Sequence, residues 1–186
     1  SGNYHDGRGT DIPYSGDDIY SGLFKVGYDV APGSRIGFST IQFRDDHTIP
    51  LDANLGTATA TSSITDRDTL QSSYAVNWAH ASTDNALVDF KINAYRNVVE
   101  ITEKGISPAS TAARRDNTDL KTDGFDLQNT SRFGVSDFDR HALTYGVDGY
   151  VDQQESRRNG AARTDYPVAE NRVYGMFIQD EIDFGK

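Results

Sequence analysis

The residues of this 186-residue sequence best able to do chemistry are four histidines and the acids beside two of them. His5 lies in "NYHDG" and His47 in "RDDHT". An imidazole can hold iron as an axial ligand, and so can a tyrosine oxygen. Tyr4, His5 and His47 are therefore the candidate ligand-binding residues. The triplet Asp45, Asp46, His47 also has the groups to activate a water. If it lies on a strand, however, neighbouring side chains point to opposite faces, and no catalytic residue is assigned. His80 and His141 fall beside tight turns and are expected to be solvated turn residues. Asp6, Asp11, Asp17 and Asp18 in "HDGRGTDIPYSGDD" are the kind of oxygen donors Ca²⁺ takes. They lack the spacing of an EF-hand loop, so a solvated acidic loop is expected and no metal site. No phosphate-cradling glycine loop, HExxH or GxSxG is present, and the sequon at Asn129 lies within a strand pattern.

These residues must be positioned by strands. "YSGLFKVGYDV" puts Tyr20, Phe24, Val26, Tyr28 and Val30 on one phase and Ser21, Lys25 and Asp29 on the other, with Leu23 fitting poorly. The alternation recurs in "RIGFSTIQF", where the phase slips at Ile41 and Phe43 as a bulge would make it slip. Further strands are read around Leu70–Trp78, Val88–Ala94, Phe125–Phe133 and Leu143–Val151. A seventh, "RVYGMFIQDEI", is apolar on both phases around Phe177. These seven strands, of ~9–11 or more residues, exceed the usual mode of ~5–6. Short turns at 31–34, 82–85 and about 136–140 alternate with long polar loops at about 44–68, 103–122 and 153–171, and 1–18 reads as another loop. Tilted strands of ~9–11 residues with short turns at one end and long loops at the other are the pattern of an outer-membrane barrel. The short turns would then face the periplasm.

Two arrangements compete. In a soluble β-sandwich, Phe24, Val26 and Tyr28 would pack in a dry core. In a barrel wall they would face lipid, with Lys25, Asp29, Asp89, Lys91, Asp126 and Arg132 in a wet lumen. Only 36% of residues are hydrophobic, which suits a wall that has no apolar interior to fill. Tyr20, Tyr28 and Trp78 lie near strand ends, where interfacial aromatics gather. The net charge of −10 argues against a nucleic-acid partner. The absence of cysteine excludes disulfides and thiolate sites. Bacterial single-chain barrels have an even number of strands and no open edge. Seven cannot close, so residues 1–186 are expected to be a partial barrel domain.

The stretches "SGNYHDGRGTDIPYSGDD", "GFDLQNTSRFG", "HALTYGVDGYVDQQ" and "YGMFIQDEI" together resemble the middle of the barrel of TonB-dependent outer-membrane receptors, and most closely the heme/hemoglobin branch. The resemblance implies an all-β, up-and-down transmembrane barrel of 22 strands in the outer membrane of a Gram-negative bacterium. It implies a receptor and transporter, not an enzyme. Heme would be the transported ligand, with no resident cofactor. The implied partners are heme or hemoglobin outside, outer-membrane lipid around, and TonB–ExbB–ExbD acting through a plug. The plug and the ligand loop that carry the family's heme-binding histidines have no counterpart in these residues. A siderophore or another iron chelate is the alternative cargo.

Overall fold

A computed structural model describes residues 2–7, 16–50, 64–107, 113–136 and 139–184. Their strands are β1 (Gly2–Gly7), β2 (Gly16–Ala31), β3 (Ser34–Pro50), β4 (Ile64–Ala81), β5 (Asp89–Ser107), β6 (Arg115–Ser136), β7 (Asp139–Arg158), β8 (Ala161–Ala162) and β9 (Ala169–Phe184). All nine belong to one sheet, each strand antiparallel to its neighbour, with β9 beside β7 and the two-residue β8 above it. The chain is thus an all-β, up-and-down sheet. Ile64 is the one buried hydrophobic side chain among the described residues, while Phe24, Tyr28, Val76, Leu127, Met176 and Ile178 are exposed. Among the described residues no second sheet covers them, as the sandwich arrangement would require.

Period-2 alternation now sorts every long strand onto two faces. One register row, Tyr28–Ile36–Trp78–Ile92–Leu127–Val147–Met176, crosses seven strands on the apolar face. The row next to it, Gly27–Gly37–Asn77–Asn93–Asp126–Asp148–Gly175, crosses the polar face. The apolar residues form a belt: Tyr20–Val30, Leu70–Trp78, Phe90–Val98, Phe125–Phe133, Leu143–Val151 and Tyr174–Ile182. Each stretch has the ~9–11 residues a tilted strand needs to cross a bilayer. Between β2 and β9 the belt drifts by roughly five residues relative to the register rows. With ~3.3 Å per residue and ~4.8 Å between strands, that drift corresponds to a tilt of roughly 30°, close to the ~35–45° of membrane barrels.

The strands run well past the belt, from 16 to 20 residues in β2, β3, β4, β5, β7 and β9 and 22 in β6. Much of what reads as loop in the sequence is therefore strand. Residues 44–50 extend β3, 64–68 begin β4, 103–107 extend β5, 115–122 begin β6 and 153–158 extend β7. Residues 2–7 likewise pair with β2 and are strand rather than loop. Their polar composition hid this, because a strand wet on both faces loses its hydrophobic period.

The phase slip at Ile41 is not a bulge. Pairing of β3 with β4 runs unbroken from Ser34 to Pro50. Ile41 and Phe43 lie on the polar face, Ile41 directly opposite Leu23, and Val99 pairs with Leu120 nearby. An apolar patch interrupts the polar face, which also accounts for Leu23. The irregularity is at Asp29/Ala31, beside the Pro32–Gly33 turn, where Gly33 has φ 73°. Glycine takes that left-handed conformation without steric cost. In β9 the ambiguity resolves: Tyr174, Met176 and Ile178 lie in phase with the belt and Phe177 with the polar face.

Candidate functional site

At the long-loop end, above the belt, one polar-face row runs Asp17–His47–Arg67–Glu103–Asp116–Arg158 across β2 to β7. Opposite charges directly across neighbouring strands attract, and Arg67 is hydrogen-bonded through Nε to Glu103 at 2.8 Å. Glu103 and Asp116 are like charges side by side, so each needs its own cation. Arg67 supplies one to Glu103, and three arginines supply Asp116.

The Asp116 carboxylate is 1% exposed. Arg114 donates from Nε at 3.0 Å and from Nη2 at 2.6 Å to Oδ2. Arg158 donates from Nε to Oδ1 at 2.9 Å and from Nη2 to Oδ2 at 3.1 Å, and Arg163 from Nη1 to Oδ2 at 3.1 Å. Burial pushes the Asp116 carboxyl up, but the hydrogen bonds from Arg158 and Arg114 prevail and bring its pKa down to about 2. Arg163 also holds Asp165 through Nε and Nη2 at 3.1 and 2.5 Å, and its guanidinium lies 4.4 Å from the Tyr166 ring centroid. The backbone closes the same corner. Asn159 N–H donates to Arg115 O at 2.7 Å and Arg163 N–H to Ser156 O at 3.1 Å. Asn159 has φ 49° and Gly160 φ 82°, so both take the left-handed conformation between β7 and β8.

His47 shares this row, and Asp45 lies on the same face two residues earlier, as alternation requires. His47 Nδ1 and Asp45 Oδ1 stand 3.0 Å apart, and both atoms are shut off from solvent without a well-aligned hydrogen bond. Asp46 is on the other face, 3.9 Å from Arg44. The sequence triplet is therefore divided between two faces, as expected for consecutive strand residues. In β1, His5 is in register with Ile19, and through it with Asp45, whereas Tyr4 is in register with Tyr20 and Arg44. The two histidines thus share the polar face's phase and Tyr4 has the other. Asp6 pairs with Asp18 in register; Asp11 lies outside the described residues.

The arginine hub escaped the sequence reading because its members come from "ARRD", "SRRNG" and "ART", three separated stretches assigned to loops. The doublets Arg114–Arg115 and Arg157–Arg158 were its only visible trace.

At the short-turn end the apolar face carries aromatic groups. Trp78 packs edge-on against Phe90 at 4.8 Å and donates from Nε1 to Ser34 Oγ at 2.9 Å. His80 lies 5.4 Å from Phe90. His141 stacks on Phe133 at 5.2 Å, and its Nδ1 is 2.7 Å from Asp180 Oδ2. Neither ring is the freely solvated turn residue expected from the sequence, because both lie on the face where aromatics collect. The expected wet-face ions are in place, with Arg132 2.7 Å from Asp89 and Arg35 3.2 Å from Asp29.

No family model matches the sequence. The chain is similar to a hemin receptor of Yersinia enterocolitica, 29% identical over 133 residues, which are 72% of this chain and 18% of that protein. Its fold matches part of a solved structure of the hemophore receptor HasR of Serratia marcescens, a double mutant in complex with its hemophore HasA and heme. That match has a TM-score of 0.71 at 21% identity and covers 91% of this chain and 23% of that one. The chain thus spans less than a quarter of either protein's length. The sequence match agrees with the resemblance to heme receptors, and the structural match shows that the sheet has the fold of part of that solved chain.

Proposed function

We propose that this chain is part of the barrel wall and outer mouth of an outer-membrane receptor that takes up heme, free or from hemoglobin, by TonB-dependent transport. The observation that carries the reading is the tilted belt of exposed apolar side chains beneath a charged, loop-bearing end. Water would penalise that belt and lipid would not. The named relatives, a hemin receptor and a receptor in complex with a hemophore and heme, support heme over a siderophore. The nine-stranded sheet would be continued by further strands into a barrel of 22. The plug through which TonB, ExbB and ExbD act would come from outside these residues. The protein would act as a transporter without a cofactor or catalytic centre, its belt in contact with outer-membrane lipid.

His5 and His47 are the residues proposed to meet the ligand, whereas Tyr4, in register with Tyr20 and Arg44, has the phase of the opposite face. His47 stands on the polar face beside Asp45, and His5 shares its phase. The test is hemin titration of the whole receptor in outer-membrane vesicles, followed by absorbance, for the unaltered protein and for His5→Ala and His47→Ala. Hemin binding by the unaltered receptor supports heme as cargo. Unchanged affinity in both variants would remove the histidines from the site, and binding of a ferric siderophore alone would replace the cargo.

A further inference from the structure

We propose that the Arg114–Arg158 pair, held by buried Asp116, is a binding site for ligand carboxylates at the mouth of the receptor. This rests on heme as the cargo, whose two propionates supply that chemistry. The hub carries three guanidiniums, Arg114, Arg158 and Arg163, against the carboxylates of Asp116 and Asp165, which leaves it one positive charge in excess. The excess is not spread evenly. Arg163 is 10% exposed, ion-paired to both acids and stacked on Tyr166. It is used up within the fold.

Arg114 and Arg158 are each 42% exposed, and each spends only its Nε and Nη2 hydrogens on Asp116. Asp165 lies 3.8 Å from Arg158, and among the described residues Asp116 is the acid that pairs with Arg114. Among the described residues, neither Nη1 group has a hydrogen-bond acceptor, so both guanidiniums keep donors to offer. A planar guanidinium matches a carboxylate in a two-point fork. Fixing one edge of each fork on a buried acid removes rotamer freedom that a free surface arginine would lose on binding. The chain as a whole is strongly acidic, with a net charge of −10. A cationic excess at this corner favours an anionic group there. Asp116 and Arg158 lie on the polar face, in the register row of His47. A ligand entering that side would pass both.

The experiment compares hemin with hemin dimethyl ester, whose propionates carry no charge. Binding is measured in the whole receptor and in Arg114→Gln, Arg114→Lys and Arg158→Gln. Arg114→Gln leaves Asp116 two arginine partners, so the corner keeps its fold. The expected result is tighter binding of hemin than of its ester, and about a tenfold or greater loss of hemin affinity in each Gln variant. Affinity for the ester should stay unchanged, and Arg114→Lys should recover part of the loss. Equal affinity of the unaltered receptor for acid and ester overturns the assignment. So does equal loss of both ligands in the variants, which would mark a purely structural hub. Failure of the unaltered receptor to bind either porphyrin overturns the heme reading together with the proposal, and is distinct from both other outcomes.

Discussion

Replacing Asp116 with Asn should loosen the loop-end corner of β6 and β7 while leaving the belt intact. The carboxylate accepts five arginine N–H contacts at 2.6–3.1 Å. An asparagine offers one oxygen and turns an NH₂ toward the guanidiniums. Three cations would then converge with Asp165 alone to balance them. Removing one member of a buried ionic group typically costs ~3–5 kcal/mol. Here the arginines are partly exposed and recover some hydration, so about 3 kcal/mol is the appropriate figure. Each 1.36 kcal/mol is a factor of ten, so local opening should become roughly a hundredfold more frequent. The assay is native-state hydrogen exchange of the Asn159 and Arg163 amides, which close onto Arg115 O and Ser156 O. Their protection should fall by about two decades, while belt amides such as Val147 keep theirs. Acid should do the same to the unaltered protein. The Asp116 pKa is held down to about 2 in the folded state, against ~3.9 unfolded. Its stabilisation is therefore present above about pH 4 and lost as pH falls toward 2. A less than threefold change at both amides in Asp116→Asn would refute the hub as the fastening of this corner.

Two further predictions concern the two faces and the opposite end. Val76 and Asn77 are adjacent in β4 on opposite faces, with Val76 50% exposed in the belt. Val76→Lys should cost ~2–4 kcal/mol of folding into lipid vesicles, as a cation near the bilayer middle does, and Asn77→Lys under 1 kcal/mol. Equal costs would refute the proposal that the belt faces lipid. At the short-turn end, His141 Nδ1 stands 2.7 Å from Asp180 Oδ2. Asp180→Asn should therefore shift the His141 ring signals in the NMR spectrum, and unmoved signals would refute the pairing.

Where the sequence was legible, it was so because one face had to be apolar. Phe24, Val26, Trp78, Ile92, Leu127 and Val147 mark their strands by period 2, and the tight turn at 31–34 falls between β2 and β3. The same rule failed where neither face is apolar. β1 and the upper parts of β3, β5, β6 and β7 are paired strand with no hydrophobic period, so they read as loop. It failed again where both faces are apolar, as at Ile41 opposite Leu23, and there imitated a bulge.

The amino-acid sequence by itself determined the class of structure: a long-stranded meander, greasy on one face and wet on the other, with its loops gathered at one end. Only the tertiary structure decided which charges meet. Register across β2 to β7 aligns His47, Arg67, Glu103, Asp116 and Arg158, residues far apart in the chain. It also buries Asp116 among three arginines from separate stretches. Strand alternation is a local property, set within a few residues by the pleat. The partners of a charge depend on which row of which strand lies opposite, and that is fixed only when the whole sheet has formed.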